Sequence, residues 1–114
     1  MSDARRDIDF VLDIQEAVQR ILDYTAGMSW EGYIVDYKTQ DAVVRNLEII
    51  GEAAKSISDD LRNQHPEIPW KDMAGTRDRL VRHYFGINQE IVWEIVRQDL
   101  PPLLKQIEAL LGGG

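Results

Sequence analysis

Ile8-Asp9-Phe10-Val11-Leu12-Asp13-Ile14-Gln15-Glu16-Ala17-Val18-Gln19-Arg20-Ile21-Leu22-Asp23-Tyr24-Thr25-Ala26-Gly27-Met28 is the stretch on which the fold class turns. Val11, Ile14, Val18, Ile21, Thr25 and Met28 recur at alternating spacings of three and four, the repeat of one helix face. Phe10, Ala17 and Tyr24 widen that stripe, and Gly27 supplies a stop. The reading is a long helix over about residues 4–26.

The same period governs the rest of the chain. Ser29 caps a short helical piece with Trp30, Tyr33 and Ile34. A second long helix is expected from about 38 to 62, with Val43, Val44, Leu47, Ile50, Ala54, Ile57 and Leu61 inward. Arg45, Glu48, Glu52, Lys55 and Asp59 line its outer face. Asn63 to Pro69, with prolines at 66 and 69, reads as a loop. Pro69 then opens a third helix, Trp70 to about Tyr84, ended by Gly86. Asn88 caps a fourth over about 89–99, which Pro101-Pro102 stop before opening a fifth with Leu103, Leu104, Ile107, Leu110 and Leu111 inward. No strand pattern, repeat or low-complexity tract interrupts the series. The expectation is an all-α antiparallel bundle of four to five helices, one domain over residues 1–111, with a flexible tail at 112–114. The two long stripes either serve the internal core alone or, with the tryptophans, close a symmetric homodimer.

Composition narrows function. The 114 residues include 20 acidic and 13 basic side chains, a formal net charge of −7, and no cysteine. A chain of this size buries about two-thirds of its surface on folding, enough for a core without staples. Disulfides, a thiolate zinc site and a cysteine nucleophile are excluded. Non-specific coating of nucleic acid is disfavoured, because that needs cations to neutralise phosphates. The first residues lack a signal pattern and no apolar run is long enough for a membrane span, so a cytoplasmic protein without a membrane partner is expected.

Few residues carry chemistry. His65 and His83 are eighteen apart with no metal-ligand spacing, so no metal site is expected. The glycines are too dispersed for a phosphate cradle. Asp59, Asp60 and Glu67 read as solvated surface. One segment departs from the acidic background. Lys71, Arg77, Arg79 and Arg82 against Asp72 and Asp78 give residues 71–84 a charge of +2, leaving −9 for the other hundred. Guanidinium forks suit phosphate, and an imidazole exchanges protons near neutral pH. Those are the minimum parts for metal-free RNA cleavage: a base for the 2′-hydroxyl, an acid for the leaving oxygen, and a cation for the crowded phosphorus. The spacing alone equally fits arginines and a histidine at an ordinary helix end.

The run Met73-Ala74-Gly75-Thr76-Arg77-Asp78-Arg79-Leu80-Val81-Arg82-His83-Tyr84-Phe85-Gly86-Ile87-Asn88, followed by Trp93 and Asp99-Leu100-Pro101, resembles the HepT-like branch of the HEPN superfamily. Arg45-Asn46-Leu47-Glu48-Ile49-Ile50-Gly51-Glu52-Ala53 and Ile68-Pro69-Trp70 extend the resemblance over almost the whole chain. It implies a dimeric helical bundle that is the toxin half of a two-gene toxin–antitoxin pair. That toxin is a metal-independent endoribonuclease without a cofactor, its RNA substrate plausibly tRNA, and its partner is a minimal nucleotidyltransferase antitoxin. By resemblance Arg77 binds phosphate, Asp78 orients, and His83 moves protons, with Arg79 and Arg82 as further phosphate contacts. Tyr84 is the position to which such an antitoxin transfers AMP.

The sequence departs from the branch at one place. Its histidine is expected where Arg82 stands, and His83 directly precedes Tyr84, while Tyr84 keeps its register with Arg77. On a continuous helix Arg82 lies about 140° and His83 about 240° from Arg77, so the shift turns the imidazole by about 100°. A helix end near Gly86 or residues from a second subunit would be needed to pair them. Three readings stand: a toxin ribonuclease, a catalytically degenerate HEPN module that binds a nucleotidyltransferase partner or a nucleotide, and a plain structural bundle.

Overall fold

The computed structural model describes residues 6–81 and 86–112, and every regular element among them is helical. In chain order these are α1 (Asp7–Thr25), α2 (Trp30–Ile34), α3 (Tyr37–Lys55), α4 (Asp59–Gln64), α5 (Trp70–Ala74), α6 (Thr76–Leu80) and α7 (Gln89–Glu94). A π-helical turn (Ile95–Asp99) then leads directly into α8 (Leu100–Leu111). Side-chain caps set the starts of four of these eight α-helices. Ser29, Asp36, Ser58 and Asn88 accept from the backbone N–H of Gly32, Thr39, Leu61 and Ile91. Gly27, at φ +75°, adopts the left-handed turn just beyond α1.

The two long helices are each other's main partner, with α8 against α1, and α5 and α6 against α3. Most of both apolar stripes is spent inside the molecule, although Tyr24 of the first is exposed. Val11, Ile14, Val18 and Ile21 are fully buried, and Leu47, Ile50, Ala54 and Ile57 nearly so. Trp70 is buried as well, and Trp30 and Trp93 are half-buried, so the tryptophans are not a free surface. The exposed large apolar side chains lie elsewhere, at Ile8, Leu12, Tyr24, Val35, Tyr37 and Val81.

Several boundaries differ from the sequence reading, each for a local reason. The first helix begins at Asp7, with residues 4 and 5 outside the described range. The helix expected over 38–62 breaks at Ser56–Ser58, because Ser58 has a better use as a cap. Its N–H donates to Asp7 Oδ1 at 2.9 Å and its hydroxyl to Asp7 Oδ2, tying the start of α4 to the start of α1. The helix expected over 70–84 is two short pieces divided at Gly75, and it ends at Leu80, where Val81 is extended.

Pro101-Pro102 do not stop a helix. The Leu100 N–H reaches Ile95 O, the five-residue step of a π turn. That wide turn takes up the two missing proline donors, and the prolines sit in the first turn of α8, where unpaired donors are normal. Gly112 is held by its N–H to Glu108 O at 2.9 Å; Gly113 and Gly114 lie outside the described residues.

Candidate functional site

Placement of the arginine-rich segment starts at Gly51 on α3. A Cβ there would sit 3.2 Å from Met73 O, so the missing side chain lets the end of α5 approach α3 backbone to backbone. Trp70 anchors the start of α5, donating from Nε1 to His65 O at 3.0 Å while its ring is buried. Beside it, the His65 ring stands 3.5 Å from Glu67. Thr76 is buried at the start of α6, and its hydroxyl donates to Asp72 O at 3.1 Å, bridging the break at Gly75. Leu80 closes α6 into the core at 1% exposure.

Between those two anchors Arg77, Asp78 and Arg79 are all exposed. The structure therefore gathers three of the six sequence-predicted site residues on one short helix. Arg82, His83 and Tyr84 lie outside the described residues, as does Phe85. The chain on both sides of them is fixed. Val81 pairs with Ile87 in an isolated antiparallel bridge, and the Asn88 N–H donates to Leu80 O at 2.7 Å. Gly86, at φ +80°, takes a conformation that side chains disfavour. The described chain before and after residues 82–85 is thus held together at one place, one residue beyond α6.

An aromatic cluster holds the return side. Tyr33 is fully buried and donates its hydroxyl to Gln89 Oε1 at 2.5 Å, tying α2 to the first turn of α7. Its ring stacks on Trp93 at 4.9 Å between centroids, and Trp30 and the Arg97 guanidinium pack on Trp93 in turn. Burial pushes the Tyr33 phenol well above its ordinary range, with Asp41 adding to the effect. The hydroxyl is a structural donor, not an acid in use at neutral pH.

Beside α6 a groove of about 320 Å³ opens between α3, α5, α6, the π turn and α8. Thr76 and Arg79 line it, whereas Arg77 and Asp78 do not. Arg79 Nη1 stands 4.0 Å from Asp99 Oδ2 across the groove mouth, both groups well exposed. Gln98, Asp99 and Gln106 enter the wall here, and the sequence reading did not select them. No shared spacing in the sequence marks them. Among the described residues no group of three His, Asp or Glu is placed to hold a metal ion. No helix there is long and apolar enough to cross a membrane.

Comparison with known proteins places the chain in a family. The family model "Ribonuclease HepT-like" matches residues 14–110. "Putative RNase MJ0127" of Methanocaldococcus jannaschii is 47% identical over 102 residues, covering 90% of this chain and 84% of the relative. "Probable ribonuclease HepT" of Thermococcus cleftensis is 45% identical over 102 residues, 90% of this chain and 93% of its own. "Putative RNase TTE0752" of Caldanaerobacter subterraneus is 39% identical over 98 residues, 86% and 88% of the two chains. No solved structure matches. Matched from α1 to the end of α8, across the Gly51 contact and the arginine-bearing α6, the chain belongs to the HepT-like ribonuclease family.

Proposed function

We propose that this protein is a metal-independent endoribonuclease, the cytoplasmic toxin of a two-gene pair, one domain acting as a homodimer. The observation that carries the reading is the exposure of Arg77 on α6, one short step before the tied-off segment that holds Arg82, His83 and Tyr84. Arg77 and Arg79 bring guanidinium donors to an RNA phosphate, Asp78 orients, and His83 exchanges protons at the 2′-hydroxyl and the leaving oxygen. A second copy of the chain supplies the facing half of the cleft, and Val81, 53% exposed beside the segment, is apolar surface available to such a contact. A minimal nucleotidyltransferase antitoxin silences the toxin by transferring AMP to Tyr84.

The degenerate-module reading is favoured by one observation of its own, Arg82 at the position where the branch keeps histidine. Expression of the wild type alone, beside Arg77→Ala and His83→Ala, separates the two. Growth arrest with RNA cleavage in the wild type, lost in both variants, is the expected result. Intact RNA and healthy cells with the wild type overturn the ribonuclease reading. Co-expression with an active nucleotidyltransferase is expected to add AMP mass to the peptide containing Tyr84. Suppressed toxicity with an unmodified peptide rejects the covalent route.

A further inference from the structure

The groove beside α6 has a floor and a rim of different character. Leu47, Ile50, Met73 and Leu103 make the floor, all at or below 5% exposure. The rim is rich in acceptors. Asp72 and Asp99 contribute carboxylates, and Gln98 and Gln106 contribute amides. Gln106 is oriented, because its Nε2 donates to Glu67 O at 3.0 Å, which leaves Oε1 and the second Nε2 hydrogen as its remaining groups. Arg79 supplies a cation to the lining, 4.0 Å from Asp99.

An apolar floor takes the face of an aromatic ring, and a rim of carboxylates takes neighbouring N–H donors at its edge. Carboxylates in this position repel a bare phosphate, so the occupant is neutral where it meets Asp72 and sets its anionic group against Arg79, whose cation offsets the neighbouring Asp99. Among RNA bases, guanine alone presents two adjacent donors, its ring N–H and its amino group, to the two oxygens of one carboxylate. Its carbonyl oxygen then needs a donor, which a side-chain amide such as Gln98 provides. Arg79 lies two residues beyond Arg77 and on the groove side of α6. A nucleotide whose phosphate is held by Arg79 can therefore lower its base into the groove.

We propose that this groove is a base-recognition subsite that selects guanine next to the cleaved phosphate. The inference rests on the ribonuclease reading and adds a sequence preference to it. Asp72 is the selecting residue, and the π turn Ile95–Asp99 is what sets the opposite wall.

The test is titration of the full-length, isotope-labelled protein with GMP, AMP, CMP and UMP, followed by amide chemical shifts. GMP is expected to shift residues of α5, α6 and the π turn, and to bind about ten-fold tighter than UMP, the low end for a bidentate pair. In Asp72→Asn that preference is expected to collapse to about two-fold or less, and cut sites mapped on total RNA are expected to lose their guanine bias. Asp72 is exposed, so the variant keeps the core intact. Equal binding of all four nucleotides, or shifts that avoid the groove, overturns the proposal even if RNA is cut. GMP-selective shifts in a protein that leaves RNA intact uphold the groove and reject the ribonuclease reading.

Discussion

Replacing Gly51 separates two forces that act on α3 in opposite directions. Helix propensity favours the change, because glycine costs about 1 kcal/mol relative to alanine inside a helix and valine recovers roughly 0.4 of that. The contact with α5 opposes it. A Cβ would lie 3.2 Å from Met73 O and 3.9 Å from Ala74 O, and both are backbone atoms that move only if α5 moves. Alanine requires a shift of a few tenths of an ångström, so its two effects nearly cancel and stability is expected within about 1 kcal/mol of wild type. Valine adds two methyl groups to the same gap, and overpacking of that size costs about 2–3 kcal/mol. After the propensity gain the net loss is about 2 kcal/mol. For 114 residues the unfolding entropy is about 240 cal/mol/K, so Tm falls by about 8 °C in Gly51→Val. Thermal unfolding by far-UV circular dichroism reads the number directly. A shift of α5 carries Arg77 with it, so RNA cleavage by the valine variant is expected to drop further than its folded fraction. A Gly51→Val protein as stable as Gly51→Ala refutes the close approach, since propensity alone ranks both above glycine.

Two further predictions probe the ties around the site. Tyr33→Phe removes the donor to Gln89 and is expected to cost about 1 kcal/mol, near 4 °C in Tm. It also flattens the alkaline limb of stability: with the folded pKa raised, the unfolded state loses its phenolic proton first, so wild-type stability falls as pH rises above about 10 and the variant lacks that contribution. An unchanged alkaline slope in the variant counts against burial as the cause. Arg79→Ala breaks an exposed pair at 4.0 Å and is expected to change stability by no more than ~0.5 kcal/mol while weakening RNA retention in gel shifts. A Tm loss above about 5 °C shows instead that Arg79 is a structural residue.

What was legible in the sequence was what repeats. The stripe Val11, Ile14, Val18, Ile21 is a periodic signal set by burial alone, and every member is buried. Caps at Ser29 and Asn88 were legible for the same reason, since a short polar side chain before an apolar run has one economical use. What was not legible depended on partners distant in the chain. Ser58 looks like a helix-interior residue until Asp7, 51 positions away, is found bonding it. Pro101-Pro102 look like a stop until the five-residue step to Ile95 is seen. The arginines of α6 could be chosen from charge and chemistry, but the neighbouring groove could not, because Leu47, Asp72 and Gln106 share no spacing.

The end of α6 at Leu80 changes the weight of the one-residue departure at His83. The case for a degenerate site rested partly on a continuous helix, where moving the histidine by one position turns it by about 100° from its expected direction. Arg77 is on a helix and Val81, at φ −75° and ψ 131°, is not. No constant rotation per residue then relates position 77 to position 83, and the angular objection has no basis. What remains fixed is the span. The bridge of Val81 to Ile87 and the bond from Asn88 to Leu80 hold both ends of the intervening segment. Histidine at 83, with arginine where the branch is expected to keep it, leaves the register of Tyr84 with Arg77 unchanged. Both positions carry a group that phosphoryl chemistry can use, a guanidinium at one and an imidazole at the other. A segment that keeps this register and still offers both groups favours an active ribonuclease over a scaffold that has lost its chemistry.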